Sequence, residues 1–158
     1  MLSSDHVRLR AEAMGHPSLT DPITGLANRL HFELVYNYIF EAGDRGLAFT
    51  VMLATCQADG DDVVRAVAEA VQRTTRTSDL VAHVGGGRFV VLLLGTNLQG
   101  ARIAADRIEV SLESVATGAV SFGLASYAPD LETSTLLLDA AERALETAQA
   151  AGGGVEFG

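Results

Sequence analysis

Apolar residues recur along this chain in two alternating patterns, a three-to-four-residue rhythm and short unbroken runs. Between residues 28 and 42, Leu30, Leu34, Ile39 and Phe40 fall at helical spacing, and Gly43 ends the segment. Residues 47–54 form an apolar run that predicts a buried strand. Asp61 and Asp62 suit a helix start, and Val63, Val64, Val67 and Val71 carry the helical rhythm toward Arg76. Two more apolar runs, 80–84 and 89–94, flank a glycine-rich turn and read as a hairpin in which glycine supplies positive φ. Residues 97–113 predict a helix with Asn97 as N-cap, 119–127 a strand, 134–151 a helix and 155–157 a short last strand. A leading helix is expected near residues 5–14, so that 1–20 form a leader and 21–158 the domain. The order implies an α/β (α+β) plait, helices packed on a mostly antiparallel central sheet.

Composition narrows the function classes. With 158 residues and 48% hydrophobic content the chain can bury a core, and no apolar run approaches the roughly 18 residues that cross a membrane. The polar start and the single Cys56 predict a soluble cytoplasmic protein without an internal disulfide. Eleven Lys and Arg against 20 Asp and Glu give a formal charge of −9, which repels DNA and anionic lipid. A phosphate ligand would have to be held by a few local arginines.

Four motifs carry chemistry or its absence. Asp21-Pro22-Ile23-Thr24-Gly25-Leu26-Ala27-Asn28-Arg29 opens the domain, Gly85-Gly86-Gly87-Arg88-Phe89 forms the turn, Ser121-Phe122-Gly123-Leu124-Ala125 lies on a late strand, and Ala141-Glu142-Arg143-Ala144-Leu145 lies on the last helix. In that order and at those separations they resemble the GGDEF family, the bacterial diguanylate cyclases, whose opening segment is written D-x-L-T-G-L-x-N-R. The resemblance runs from Asp21 to about Val155 and implies the nucleotide-cyclase-like plait.

The cyclase chemistry that the resemblance implies is missing its parts. Family members hold two metal ions with carboxylates from the first strand and the signature turn, to neutralise two triphosphates before a 3′-oxygen attacks. Here the strand reads Leu53-Ala54-Thr55-Cys56, and the turn has Gly87 and Arg88 where the family has an acidic pair. The family's guanine-reading segment is absent, because Cys56 passes through Gln57-Ala58-Asp59 directly to Gly60-Asp61. Its late lysine and arginine, which face the triphosphate, appear as Gln149 and Gly153. The expectation is a degenerate domain with no catalytic residues, no metal and no cofactor.

One ligand motif is complete. Arg76-Thr77-Ser78-Asp79 stands five residues before the turn, where many family members have an R-x-x-D that binds cyclic di-GMP as a feedback inhibitor. The family's further arginine falls at Arg107 by ungapped counting. Guanidinium groups suit phosphate or a guanine edge, and a carboxylate accepts from guanine donors. The resemblance therefore implies a cyclic di-GMP receptor using Arg76, Asp79 and Arg107, with the ligand as an intercalated pair, a protein partner for output, and a homodimer to which Arg45 could contribute.

Structural explanations stand beside this one. Arg76 and Asp79 could form a partly exposed ion pair worth about 0–1 kcal/mol, the domain then being a ligand-independent interaction scaffold. A weak enzyme with an altered metal site has no carboxylate pair left to use. His6, His16, His31 and His83 lack ligand spacing, although His83 stands where the family usually has an arginine. Cys56 suits a small buried hydrophobe. Arg88 is expected in solvent at the hairpin tip or against a partner, and Gly152-Gly153-Gly154 as a flexible approach to the last strand.

Overall fold

The structure is a computed structural model and describes residues 18–43 and 45–158. The leading helix expected near residues 5–14 lies outside the described residues. Among them are four helices and five strands: α1 (Arg29–Gly43), β1 (Phe49–Gln57), α2 (Asp61–Thr74), β2 (Leu80–His83), β3 (Arg88–Leu94), α3 (Leu98–Leu112), β4 (Thr117–Ser126), α4 (Ser134–Ala150) and β5 (Gly154–Phe157). The strands form one sheet in the order β2-β3-β1-β4-β5, antiparallel except for the parallel β4–β5 pair. The expected α/β plait is what forms. None of these helices is long and apolar enough to cross a membrane.

Strand alternation divides the core between the two sheet faces. Phe49, Val51, Leu53, Val90 and Leu92 point toward α1 and α4, meeting Phe32, Tyr36, Phe40, Leu137 and Leu145. Met52, Ala54, Phe89, Val91 and Leu93 point the other way, against Val64, Val67 and Val71 of α2 and Ala105, Ile108 and Leu112 of α3. Both faces are covered, so the central strands read as continuous apolar runs. The exposed edge of β2 is partly covered by the opening loop, which bridges Ala27 to Ala82.

Local signals explain the element ends. Asn97 caps α3 by accepting from the Gly100 N–H at 2.9 Å, as its side chain predicts. Thr133 does the same for α4 through the Leu136 N–H. In α2 the acidic first turn is present, but the preceding residue is Gly60 at φ 91°, which makes no side-chain cap. The Tyr36 hydroxyl donates to the Ser134 carbonyl at 2.5 Å, tying α1 to α4, and burial pushes its pKa up.

The late strand motif is a packing device. A Cβ at Gly123 would overlap the Ala141 carbonyl oxygen and the Leu145 backbone, so glycine is what lets α4 lie directly on β4. Gly123→Ala is expected to lose about 2–3 kcal/mol of stability, read as a lower urea midpoint at unchanged slope. An unchanged midpoint would show that α4 can shift away freely.

Candidate ligand-binding site

α2 gives way at Thr75 to extended backbone, and the chain turns sharply over Arg76–Asp79 before entering β2. The turn closes on itself: the Asp79 N–H donates to the Arg76 carbonyl, and the Arg76 N–H donates to Asp79 Oδ2, both at 3.0 Å. Asp79 Oδ1 also accepts the Leu94 N–H at 3.1 Å, across the sheet end where β3 finishes. The Asp79 side chain is 2% exposed, while that of Arg76 is 59% exposed. The Arg76 guanidinium lies 3.4 Å from Asp79 Oδ1 and donates to the Leu94 carbonyl at 2.5 Å and to the Thr96 hydroxyl at 2.7 Å. The pair is partly exposed, as expected, but unevenly so: the Asp79 carboxylate is buried and accepts backbone donors, while the arginine faces water.

Arg76 and Asp79 line a cleft of about 410 Å³ together with His31, Gln72, Thr75, Thr77 and the loop residues Gly25, Leu26 and Ala27. Arg107 lies on α3 and lines a different cavity, about 480 Å³, with Thr74, Ile103 and Val110. Thr74 and Thr75 are consecutive, so the two cavities flank the end of α2. The three site residues predicted from sequence thus lie around one helix terminus, Arg76 and Asp79 in one cavity and Arg107 in the other. Arg45 is exposed in the loop leading to β1, at the sheet end where Phe49 pairs with Leu94, and lines neither cavity.

The glycine turn occupies the opposite end of the β2–β3 hairpin. Gly85 and Gly86 have φ of 116° and 50°, the conformations the sequence predicts for a tight turn. Gly87 has a different constraint. Its carbonyl accepts the Cys56 N–H at 3.0 Å, and a Cβ there would overlap the Cys56 carbonyl oxygen. β1 runs on to Gln57, so Cys56 is held within a strand, half-buried, its thiol pKa pushed up by burial. Arg88 does not hang in solvent as one expectation had it. It pairs opposite Thr55 and forms an ion pair with Glu142 on α4, linking the hairpin to the helix layer. Among the described residues, no three His, Cys, Asp or Glu side chains gather as a metal-ligand set.

The family model for the diguanylate cyclase GGDEF domain matches residues 18–154 of this chain. The chain belongs to the GGDEF family. Diguanylate cyclase A of Treponema denticola is 33% identical over 96 residues, covering 56% of this chain and 26% of that protein. Diguanylate cyclase TpbB of Pseudomonas aeruginosa is 28% identical and covers 94% of this chain and 39% of its own length. This GGDEF chain therefore spans well under half of these curated relatives. Among solved structures, the coiled coil and GGDEF domain of DgcB from Caulobacter crescentus, in complex with c-di-GMP, superposes with a TM-score of 0.83 at 22% identity, covering 98% of this chain and 93% of that one. The FimX GGDEF domain from Pseudomonas aeruginosa gives a TM-score of 0.81 at 20% identity, covering 90% and 100%. At these identities the likeness shows the fold.

The opening segment of this GGDEF domain earns its motif by local bonding. Asp21 is buried, and its Oδ2 accepts the Thr24 N–H at 2.9 Å and the Thr24 hydroxyl at 2.7 Å, while His83 Nδ1 lies 3.1 Å away. Burial raises the Asp21 pKa, but the Thr24 bonds and His83 outweigh it and hold the carboxyl below its ordinary value. Such a group contributes stability that is present above the unfolded value, near pH 4, and lost as pH falls through the lower folded value. Asp21→Asn is expected to flatten the acid limb of the stability curve below about pH 4, measured by urea denaturation at a series of pH values. An acid limb as steep as that of the unaltered protein would place the titrating group elsewhere. Sequence reasoning missed His83, Glu142 and Thr96 as partners; only His83 had a signal, as a histidine at a position where arginine is usual.

Proposed function

We propose that this GGDEF domain is catalytically inactive and serves as a cyclic di-GMP receptor through the R-x-x-D turn. The contrast between the two ends of the β2–β3 hairpin carries this reading. At the glycine end, the residues do not suit a divalent cation: Ala54 and Cys56 offer no hard oxygen side chain, Gly87 has no room for one, and Arg88 brings a positive charge already paired with Glu142. At the other end a half-exposed guanidinium and its buried carboxylate border an open polar cleft. Buried Asp79 holds Arg76 from behind, a preorganisation that suits capture of phosphate or a guanine edge. Arg107 on α3 borders the neighbouring cavity across the end of α2, and the ligand, taken as an intercalated pair, spans the two. A protein partner reads the occupied state, and a second copy of the domain can join through Arg45.

A scaffold reading has one observation in its favour. The Arg76 guanidinium is already bonded to Leu94 and Thr96, so the motif is self-sufficient as a structural clasp. Two experiments separate the alternatives. Overnight incubation with GTP and magnesium or manganese is expected to give no cyclic di-GMP by chromatography; metal-dependent product above a no-enzyme control refutes the inactive assignment. Cyclic di-GMP at about 100 times its Kd should stabilise the domain by about 2.7 kcal/mol and raise the melting midpoint, whereas GMP should not. A midpoint unmoved by cyclic di-GMP favours the scaffold.

A further inference from the structure

His83 ends β2 and is 3% exposed. Its Nε2 lies 2.7 Å from the Gly86 carbonyl oxygen, and its Nδ1 lies 3.1 Å from Asp21 Oδ2. A peptide carbonyl has no proton to donate, and the Asp21 carboxyl is held ionised by its Thr24 bonds. Neutral imidazole has one N–H and one lone pair, so either tautomer would set that lone pair against an oxygen in a buried place. The Nδ1 contact lacks the alignment of a directed hydrogen bond, and no other acceptor serves that atom. Charge, which needs no alignment, is what can hold it. We propose that His83 is protonated on both ring nitrogens in the folded domain and acts as a proton-dependent fastener between the opening loop and the glycine turn.

The fastener reaches the cleft. The His83 N–H donates to the Ala27 carbonyl at 3.0 Å, and Gly25, Leu26 and Ala27 form one wall of the cavity that Arg76 and Asp79 border. The groups facing the imidazole are Asp21 from the loop, the Gly86 carbonyl from the turn and the Phe89 ring from β3, 5.0 Å away; of these only Asp21 titrates. Arginine at this position would stay charged at every accessible pH, whereas histidine can release its proton. The contact is present while the ring carries both protons and is lost when rising pH removes one. Losing it sets a lone pair against Asp21 or Gly86 and loosens the cleft wall.

Nitrogen NMR of the full chain, with amide hydrogen exchange measured without ligand, tests this whether or not the cleft binds cyclic di-GMP. The ring signals of His83, assigned by their absence in His83→Gln, should show two protonated nitrogens at pH 6. Protection of the amides at residues 24–28, corrected for intrinsic exchange, should fall about tenfold at the pH where the ring signals show loss of the second proton. In His83→Arg that protection should stay level with pH. A neutral ring at pH 6 overturns the proposal, and so does loop protection that is unchanged across the titration in the unaltered protein. If His83→Arg fails to fold, the ring nitrogens of the unaltered protein still decide the matter.

Discussion

Asp79→Ala is expected to lose about 2–4 kcal/mol of stability, whereas Arg76→Ala loses about 1 kcal/mol or less. The two residues form one ion pair, yet their surroundings differ. Asp79 is buried and accepts the backbone N–H groups of Arg76 and Leu94, so truncation strands donors at the junction of the turn and β3. Asp79→Asn falls between, because its amide can accept but also presents an NH2 to groups that only donate. Arg76 gives up hydrogen bonds on an exposed side, and water replaces them. Urea denaturation of the three variants checks the order. Equal midpoints for Asp79→Ala and the unaltered protein would refute the buried clasp. A consequence for ligand work is that lost binding in an Asp79 variant mixes folding with recognition, and Arg76→Ala is the cleaner probe.

Gly87→Asp, which writes an acidic residue back into the turn, is expected to destabilise the domain by about 3 kcal/mol and to restore no cyclase activity. Any side chain there begins with a Cβ that overlaps the Cys56 carbonyl oxygen, and backbone on both sides must move to admit it. The turn is held against β1 by the Cys56 N–H bond to Gly87 and against α4 by Arg88 and Glu142. The space that a side chain at this position would fill is thus closed. Melting and a GTP turnover assay of the purified variant check both halves. A variant that melts with the unaltered protein would show that the turn opens at little cost.

Most of the architecture was legible because periodicity reports burial. Val63, Val64, Val67 and Val71 mark α2, and unbroken runs mark strands covered on both faces. The strand β1 outran its expected end because Thr55, Cys56 and Gln57 do not continue the apolar run, yet Thr55 pairs with β3 and β4, Cys56 bonds to Gly87 and Gln57 pairs with β4. The site was legible as a motif and not as an environment. Nothing local says that Asp79 is buried, since its acceptor role is set by the Leu94 N–H on a neighbouring strand. Arg88 finds Glu142 at 54 residues' separation, and its neighbours in sequence gave no hint of it. The need for glycine at 87 and 123 is likewise tertiary, set by Cys56 and Ala141.

Calorimetric titration of cyclic di-GMP into the unaltered domain and into Arg76→Ala decides whether the R-x-x-D turn is a receptor site. A receptor site gives a saturable isotherm at micromolar ligand for the unaltered protein and an affinity about 30- to 1,000-fold weaker for Arg76→Ala, equivalent to about 2–4 kcal/mol, at an almost unchanged melting midpoint. No binding to the unaltered domain, or equal binding by Arg76→Ala, would contradict the receptor assignment and leave the R-x-x-D turn as a structural clasp.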